Sequence, residues 1–296
     1  MSEAQPLEAK YILRTVTGSL RLGLGHMGMI DALAIAFTGG RETRGDIERA
    51  FNFCSDLGYV ARLLAEKGID AVRNISVEVG RPIRMMAAKK LSDPVEIMQK
   101  VGGRALVEYK YDGERLQVHK DDDEIVLFSR RQERITDQYP DVVEYVRKHV
   151  RSKRCVIEGE CVAIDPGTGE MRPFQELMRR KRKTDIEEMS KEVPVRLFFF
   201  DVLYVEDRDV TGRPMLERRS ILEKIIDVSR DVRLTTGEVT DSAERLEEIF
   251  MAALDTGHEG VIAKAVHEHS TYQAGSRSWL WIKPVSYTQL TLPTKG

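Results

Sequence analysis

Apolar positions in the first quarter of the chain recur at helical spacing. Leu7, Tyr11, Ile12 and Val16 share one helix face, and a second apolar segment covers residues 29–37. A third runs from Asp46 through Phe51, and a fourth through Tyr59, Ala61, Leu63 and Leu64 to a stop at Gly68. The pattern then changes. Residues 80–88 have no clear period and read as a linker. Ser92-Asp93-Pro94 caps a short helix that Gly102-Gly103 ends. Beyond Arg104, periods of two and of 3.6 residues are mixed. Strands are predicted over 105–111, 115–120 and 124–129 as an antiparallel meander, then over 155–165, the strongly apolar 195–205, 261–265 and 279–283. Helices are predicted over 141–149, 173–180, 185–190, 216–228 and 242–254. Strands and helices are interspersed without a strict βαβ repeat, so the predicted class is α+β.

The 296 residues are enough for one large domain or two ordinary ones. A hydrophobic share of 42% supports a packed core, and 32% charged residues indicate a soluble surface. The formal net charge of -2 excludes a globally basic nucleic-acid binder, so any such surface must be local. The three cysteines, Cys54, Cys155 and Cys161, are odd in number and lack metal-ligand spacing, which fits a reducing compartment. Cys155 and Cys161 share strand parity and read as core. The N-terminus lacks the basic and apolar regions of a signal peptide, and the apolar run 29–37 contains Asp31 and is too short to span a bilayer. A soluble cytoplasmic protein is expected.

The densest chemistry lies in Glu108-Tyr-Lys-Tyr-Asp-Gly-Glu-Arg115. Glu108 and Lys110 are two apart and share a strand face, and Asp112-Gly113 is a turn signal. A lysine on a rigid strand, with an acid before it and an arginine after it, suits a nucleophilic amine, because desolvation and nearby positive charge lower its pKa. Read alone, the stretch is equally a surface hairpin with scattered charges. Arg130 ends a strand. Glu158 and Glu160 share a strand face with Val156, Val162 and Ile164, where acids are costly unless paired or metal-bound; Glu158 is also readable as solvated. Phe199 points away from Phe198 and Phe200. Glu259 and Lys264 are five apart, so Glu259 must sit in the turn beside Gly257 and Gly260. Arg172, Arg179, Arg180, Lys181, Arg182 and Lys183 cluster on and after one short helix as a candidate phosphate-backbone contact.

Lys110-Tyr-Asp112-Gly113-Glu-Arg115 resembles the nucleotidyl-lysine motif K-x-D-G-x-R of the DNA ligase, RNA ligase and mRNA-capping superfamily. Five further stretches follow in the order that ligases use: Arg130, Glu158-Gly-Glu160, Phe198–Phe200, Glu259-Gly-Val-Ile-Ala-Lys264 and Trp279-Leu-Trp-Ile-Lys283. Residues 80–88 resemble the G-R-P-I-R-P-M-L-A segment of archaeal enzymes, with Met85 in place of proline and Ala87 in place of leucine. Residues 10–33, with Arg14, Arg21 and His26 among them, resemble the end of the helical DNA-binding domain of archaeal and eukaryotic ATP-dependent DNA ligases.

The resemblance implies an antiparallel-sheet, ATP-grasp-like nucleotidyltransferase (adenylation) domain over 92–284. A partial all-α DNA-binding domain, 1–79, and a linker, 80–91, would precede it; an unrelated tail, 285–296, would follow, with the family's OB-fold absent. It implies ATP-dependent sealing of nicks in duplex DNA, serving replication, repair and recombination. In that reading Lys110 is the nucleophile and Glu108 reads the adenine amino group. Phe200 stacks on adenine. Arg115, Arg130, Lys264 and Lys283 neutralise phosphate charge, Glu160 contacts ribose or metal, and Glu259 helps hold the metal. ATP and Mg²⁺ or another divalent cation are the implied cofactors. Nicked duplex DNA is the implied partner, a sliding clamp is a further candidate, and no membrane is involved. The implied protein is a monomer from a prokaryote, an archaeon. Arg131 stands where asparagine is common and Val285 where a second lysine belongs; without that lysine and the OB-fold, weak or absent self-adenylation is expected. Two other readings stay open: a non-catalytic nicked-DNA-binding fragment, and an RNA ligase or capping-type nucleotidyltransferase, against which the helical N-terminal region and residues 80–88 argue.

Overall fold

The computed structural model describes residues 4–17, 23–180 and 186–285. It divides into two compact units, residues 1–51 with 56–75, and residues 52–55 with 76–296.

The smaller unit is helical, as its apolar spacing predicts. It holds α1 (Pro6–Val16), α2 (His26–Thr38), most of α3 (Arg44–Cys54) and α4 (Leu57–Arg73). Ile30, Ala34, Ile47, Ala50, Val60, Leu64 and Val72 form its buried interior. The Asp56 carboxylate caps α4 by accepting from the Tyr59 N–H at 2.9 Å. Gly68, at φ 76°, interrupts α4 where the sequence puts a stop, but the chain turns helical again and continues to Arg73. None of the α1 residues is buried. Its apolar stripe, Leu7, Ile12 and Val16, is exposed.

The larger unit is α+β. Its strands are β1 (Ala87–Leu91), β2 (Ala105–Tyr109), β3 (Glu114–Asp121), β4 (Glu124–Ser129), β5 (Arg154–Ala163), β6 (Val195–Val205), β7 (Arg208–Asp209), β8 (Val232–Leu234), β9 (Gly237–Thr240), β10 (Val261–Ala265) and β11 (Arg277–Pro284). Its helices are α5 (Pro94–Lys100), α6 (Pro140–His149), α7 (Leu177–Arg180), α8 (Ile186–Glu192), α9 (Met215–Ile225) and α10 (Ala243–Asp255). Asp93 caps α5, and Gly102 and Gly103 follow it with positive φ, as expected.

Two sheets carry the unit. One has the order β1-β11-β10-β2-β9; the other has the order β4-β3-β5-β6-β7, with β8 also paired to β6. All pairings are antiparallel except β1 with β11 and β6 with β8. The first sheet packs against α5 and α10 through Ile97, Val101, Val107, Leu246, Ile249, Ala263 and Ile282. The second buries Leu116, Val118, Cys155, Ile157, Cys161, Leu197 and Phe199 against α6 and α9 residues Val142, Val146 and Leu222. Cys155 and Cys161 are both in this core, as their parity implies.

Two expectations are corrected. The predicted meander over 105–129 does not exist. β2 pairs with β9 and β10 in one sheet, whereas β3 pairs with β4 and β5 in the other. Asp112-Gly113 is therefore a crossover between sheets and not a hairpin turn; a turn signal says that the chain bends and does not say what the next strand pairs with. Residues 80–91 are also more than a linker, because Ala87–Leu91 is β1, parallel to β11. Its Ala-Ala-Lys-Lys-Leu sequence has no β-branched residue and no alternation, so the tertiary partner makes the strand.

The crossover depends on a close approach. A Cβ on Gly113 would stand 2.3 Å from the Cys161 carbonyl oxygen and 2.9 Å from Glu160 Cγ. The first of these is backbone and cannot turn away. Gly113→Ala is expected to cost about 1–3 kcal/mol by overpacking and to displace the turn after Lys110. Urea denaturation reads the first effect, and nucleotide binding under conditions where the variant is folded reads the second.

Candidate active site

The crossover opens a cleft of about 380 Å³ lined by both sheets of the larger unit. The first sheet contributes Glu108, Lys110, Lys264, Trp281 and Lys283; the second contributes Arg115, Arg130, Glu160 and Phe200. Eight of the nine site residues singled out in the sequence thus line one cleft. The ninth, Glu259, forms an ion pair with the Lys110 amine.

Backbone geometry explains how Glu259 reaches Lys110. The Lys110 N–H donates to the Gly260 carbonyl at 2.8 Å, and the Glu259 N–H donates to the Lys110 carbonyl at 3.0 Å. These bonds continue the β2–β10 ladder one step past its named residues. Gly257 and Gly260 have φ of 80° and 118°, so Glu259 sits in the turn that the spacing demands. Tyr111, next to the nucleophile candidate, stacks on Phe198 with ring centroids 3.9 Å apart.

Burial lowers the pKa of the Lys110 ammonium, and Lys283 and Arg130 push it the same way. Glu160 and Asp112 oppose them, but the net shift is downward, toward the neutral amine. Glu160 shows the matching effect. Burial raises its carboxyl to about 7, against the pull of Arg115 and Lys110. A cation beside it would favour its ionised form.

A buried polar shell fixes the walls. Glu108 is 2% exposed. Its Oε1 accepts from Arg219 Nη1 and from the Thr235 hydroxyl, each at 2.6 Å, and its Oε2 pairs with Lys264. The Lys264 Nζ lies over the Phe200 ring at 4.8 Å and the Trp281 ring at 4.7 Å. Phe200 is the unpaired residue of a bulge, since Glu158 faces Asp201 while Gly159 faces Phe199. The bulge re-aims its ring into the cleft, while Phe199 is buried in the core as alternation predicts. Asp201, next in the chain, makes a fully buried pair with Arg218 of α9 at 2.8 Å.

Glu158 is a correction. It is not solvated; it is fully buried, and it accepts from Arg115 Nη2 at 2.8 Å, the Tyr272 hydroxyl at 3.0 Å and Gln117 Nε2 at 3.2 Å. Burial opposes the Arg115 charge, but Glu158, Tyr272 and Glu160 together outweigh it and the guanidinium pKa is raised. Arg115 Nη1 also donates to the Met86 carbonyl at 2.8 Å. Its Nε is buried with no hydrogen-bond partner among the described residues.

The basic cluster is also corrected in part. Arg180 is 3% exposed and forms a fork with Asp141 at 2.8 and 2.7 Å. Arg172 pairs with Asp165, and Arg179 with Glu176. These three are occupied, and 181–183 lie outside the described residues. Sequence reasoning missed Arg219, Thr235 and Tyr272. Nothing local marks them, because their role comes from partners more than a hundred positions away in the chain.

No described helix is long and apolar enough to cross a membrane. A family model described as ATP dependent DNA ligase domain matches residues 85–284. The chain is 54% identical over 283 residues to a DNA ligase of Hyperthermus butylicus, covering 96% of this chain and 46% of that one. It is 52% identical over 283 residues to DNA ligases of Acidianus ambivalens and Saccharolobus solfataricus, covering 96% of this chain and 47% of each. It spans about half the length of these relatives. With the match running from β1 to the end of β11 and including every residue that lines the cleft, the chain belongs to the ATP-dependent DNA ligase domain family.

Proposed function

We propose that this chain carries the adenylyl-transfer centre of an ATP-dependent DNA ligase, which acts on nicked duplex DNA. The observation that carries the reading is the desolvated Lys110 amine at one end of a cleft that also holds Arg130, Lys264 and Lys283. The neutral Lys110 Nζ attacks the α-phosphorus of ATP. A P–N bond forms, the P–O bond to pyrophosphate breaks, and the nitrogen releases one proton to water or to a carboxylate beside it. The AMP group then passes to the 5′-phosphate at the nick. The 3′-hydroxyl attacks that phosphorus, closing the strand and releasing AMP.

Catalysis of this type is positioning and charge neutralisation. Phe200 offers an aromatic face to adenine. Glu108 accepts from the adenine amino group, for which the Lys264 ammonium must give up its carboxylate oxygen and turn to the α-phosphate. Arg115, held on Glu158, and Arg130 and Lys283 balance phosphate charge.

A magnesium ion fits this donor set. Mg²⁺ is commonly held by one or two carboxylates, with substrate phosphates and water completing its shell. Glu160 and Glu259 both lie at Lys110, and no described group of three or more side chains forms an all-protein metal cage. When bound, the ion would supply charge neutralisation on the phosphates. The helical unit, in this reading, is part of the DNA-binding region.

Intact mass after incubation with ATP and Mg²⁺ tests the proposal. We expect a slow gain of one AMP that GTP does not replace, and no gain in Lys110→Ala. A gain of equal size in that variant would overturn the assignment. The pH dependence has a definite sign. Adenylation needs Lys110 neutral and Glu160 ionised, so its initial rate should rise with pH; the Glu160 carboxyl sits at about 7 without a metal ion, and Mg²⁺ beside it shifts the rise to lower pH. A rate that increases as pH drops from 8 to 6, a range of roughly one unit either side of the Glu160 value, would contradict the site electrostatics.

A further inference from the structure

Two of the cations that crowd the cleft have no role so far. Lys90 stands on β1 and Arg277 opens β11, and both line the cleft with Arg130 and Lys283. Parallel pairing sets Lys90 across from Lys283 and Ala87 across from Arg277. Arg277 Nη1 donates to the Ala88 carbonyl at 3.4 Å, which anchors its guanidinium against β1.

Among the described residues, none of these four cations forms an ion pair with a carboxylate. Arginines elsewhere on the same unit do: Arg154 with Asp121, Arg245 with Glu238, Arg213 with Glu217. Like charges placed opposite one another on paired strands destabilise the sheet. The repulsion registers on Lys283, whose ammonium pKa is lowered by burial and then by Lys90, Arg130 and Arg277. Four cations in one cleft, none of them paired with a carboxylate among the described residues, match a site for a multiply charged anion. Glu108 and Phe200 line the same cleft and are buried, whereas Lys90, Arg130 and Arg277 are exposed.

We propose that Lys90 and Arg277 complete, with Arg130 and Lys283, a phosphate-binding rim to the nucleotide cleft. The ligand is a phosphate group beyond the α-phosphorus, either the terminal phosphates of ATP or the 5′-phosphate of a DNA end. The inference rests on the adenylation reading above.

The test is binding, so it does not require turnover. Dissociation constants are measured for adenosine, AMP and ATP, and for nicked duplexes ending in a 5′-phosphate or a 5′-hydroxyl. The proteins are the parent chain, Lys90→Ala, Arg277→Ala and Lys90→Arg. If the rim holds the nucleotide tail, ATP binding weakens about tenfold in each alanine variant. AMP and adenosine then bind as in the parent, and Lys90→Arg keeps most of the ATP affinity. If the rim holds the DNA end, the preference for 5′-phosphate shrinks about tenfold in the alanine variants, and ATP binding is unchanged. Parental ATP affinity together with parental 5′-phosphate preference in both alanine variants would sink the rim while leaving the adenylation reading intact. A parent chain that binds neither AMP nor adenosine would overturn that reading, and the rim with it.

Discussion

The site is organised by the desolvation of one amine. Lys110 leaves the first sheet at the point where the chain crosses to the second, and burial there costs the ammonium more than nearby acids return. Glu160 and Asp112 offset part of that cost, but they do not reverse the net shift. A lysine at a hairpin tip, as the local sequence suggests, would be solvated and would keep its proton. The crossover is therefore what desolvates the proposed nucleophile, and Gly113 is what lets the chain pass β5 closely enough to make it.

The walls around Lys110 are rigid because their charges are buried in pairs. Glu108 with Lys264 and Arg219, Glu158 with Arg115, and Asp201 with Arg218 each join elements distant in sequence. Such pairs add little net stability, but removing one partner costs about 3–5 kcal/mol because a bare charge is left inside. They fix positions. Arg218 also reaches the Ser270 carbonyl at 3.0 Å, just ahead of Tyr272, and Tyr272 in turn supports Glu158. Shape thus passes from α9 through Ser270 and Tyr272, two buried residues of one loop, to Arg115 at the cleft. The unpaired cations of the rim are the opposite case, with charge left unsatisfied where a substrate phosphate can meet it.

Much of this was legible in the sequence, and what was not follows a pattern. β6 and β10 span the predicted residues, since long apolar or β-branched runs fix their own period. The capped start of α5 and the turn position of Glu259 were also plain, because both rest on neighbours within a few residues. Partnership was not legible. The meander over 105–129 fails because pairing is decided by β5, β9 and β10, far along the chain. β1 lacks alternation, the strands β8 and β9 are too short to show a period, and all three exist through their partners. Glu158 and Arg180 carry charges that the sequence puts in water and the fold puts inside, each against an opposite charge. The cleft residues came through because their spacing resembles a known family, which holds long-range information that single residues do not.

The central claim is that Lys110 is an amine whose pKa is depressed by its burial at the crossover. Nitrogen NMR of the lysine Nζ groups, assigned by comparison with Lys110→Arg and followed over pH, measures it directly. The account predicts that the Lys110 signal titrates below the solvent-exposed lysines and moves up when Lys283→Ala removes a neighbouring cation. A Lys110 signal that titrates with the solvent-exposed lysines would contradict it.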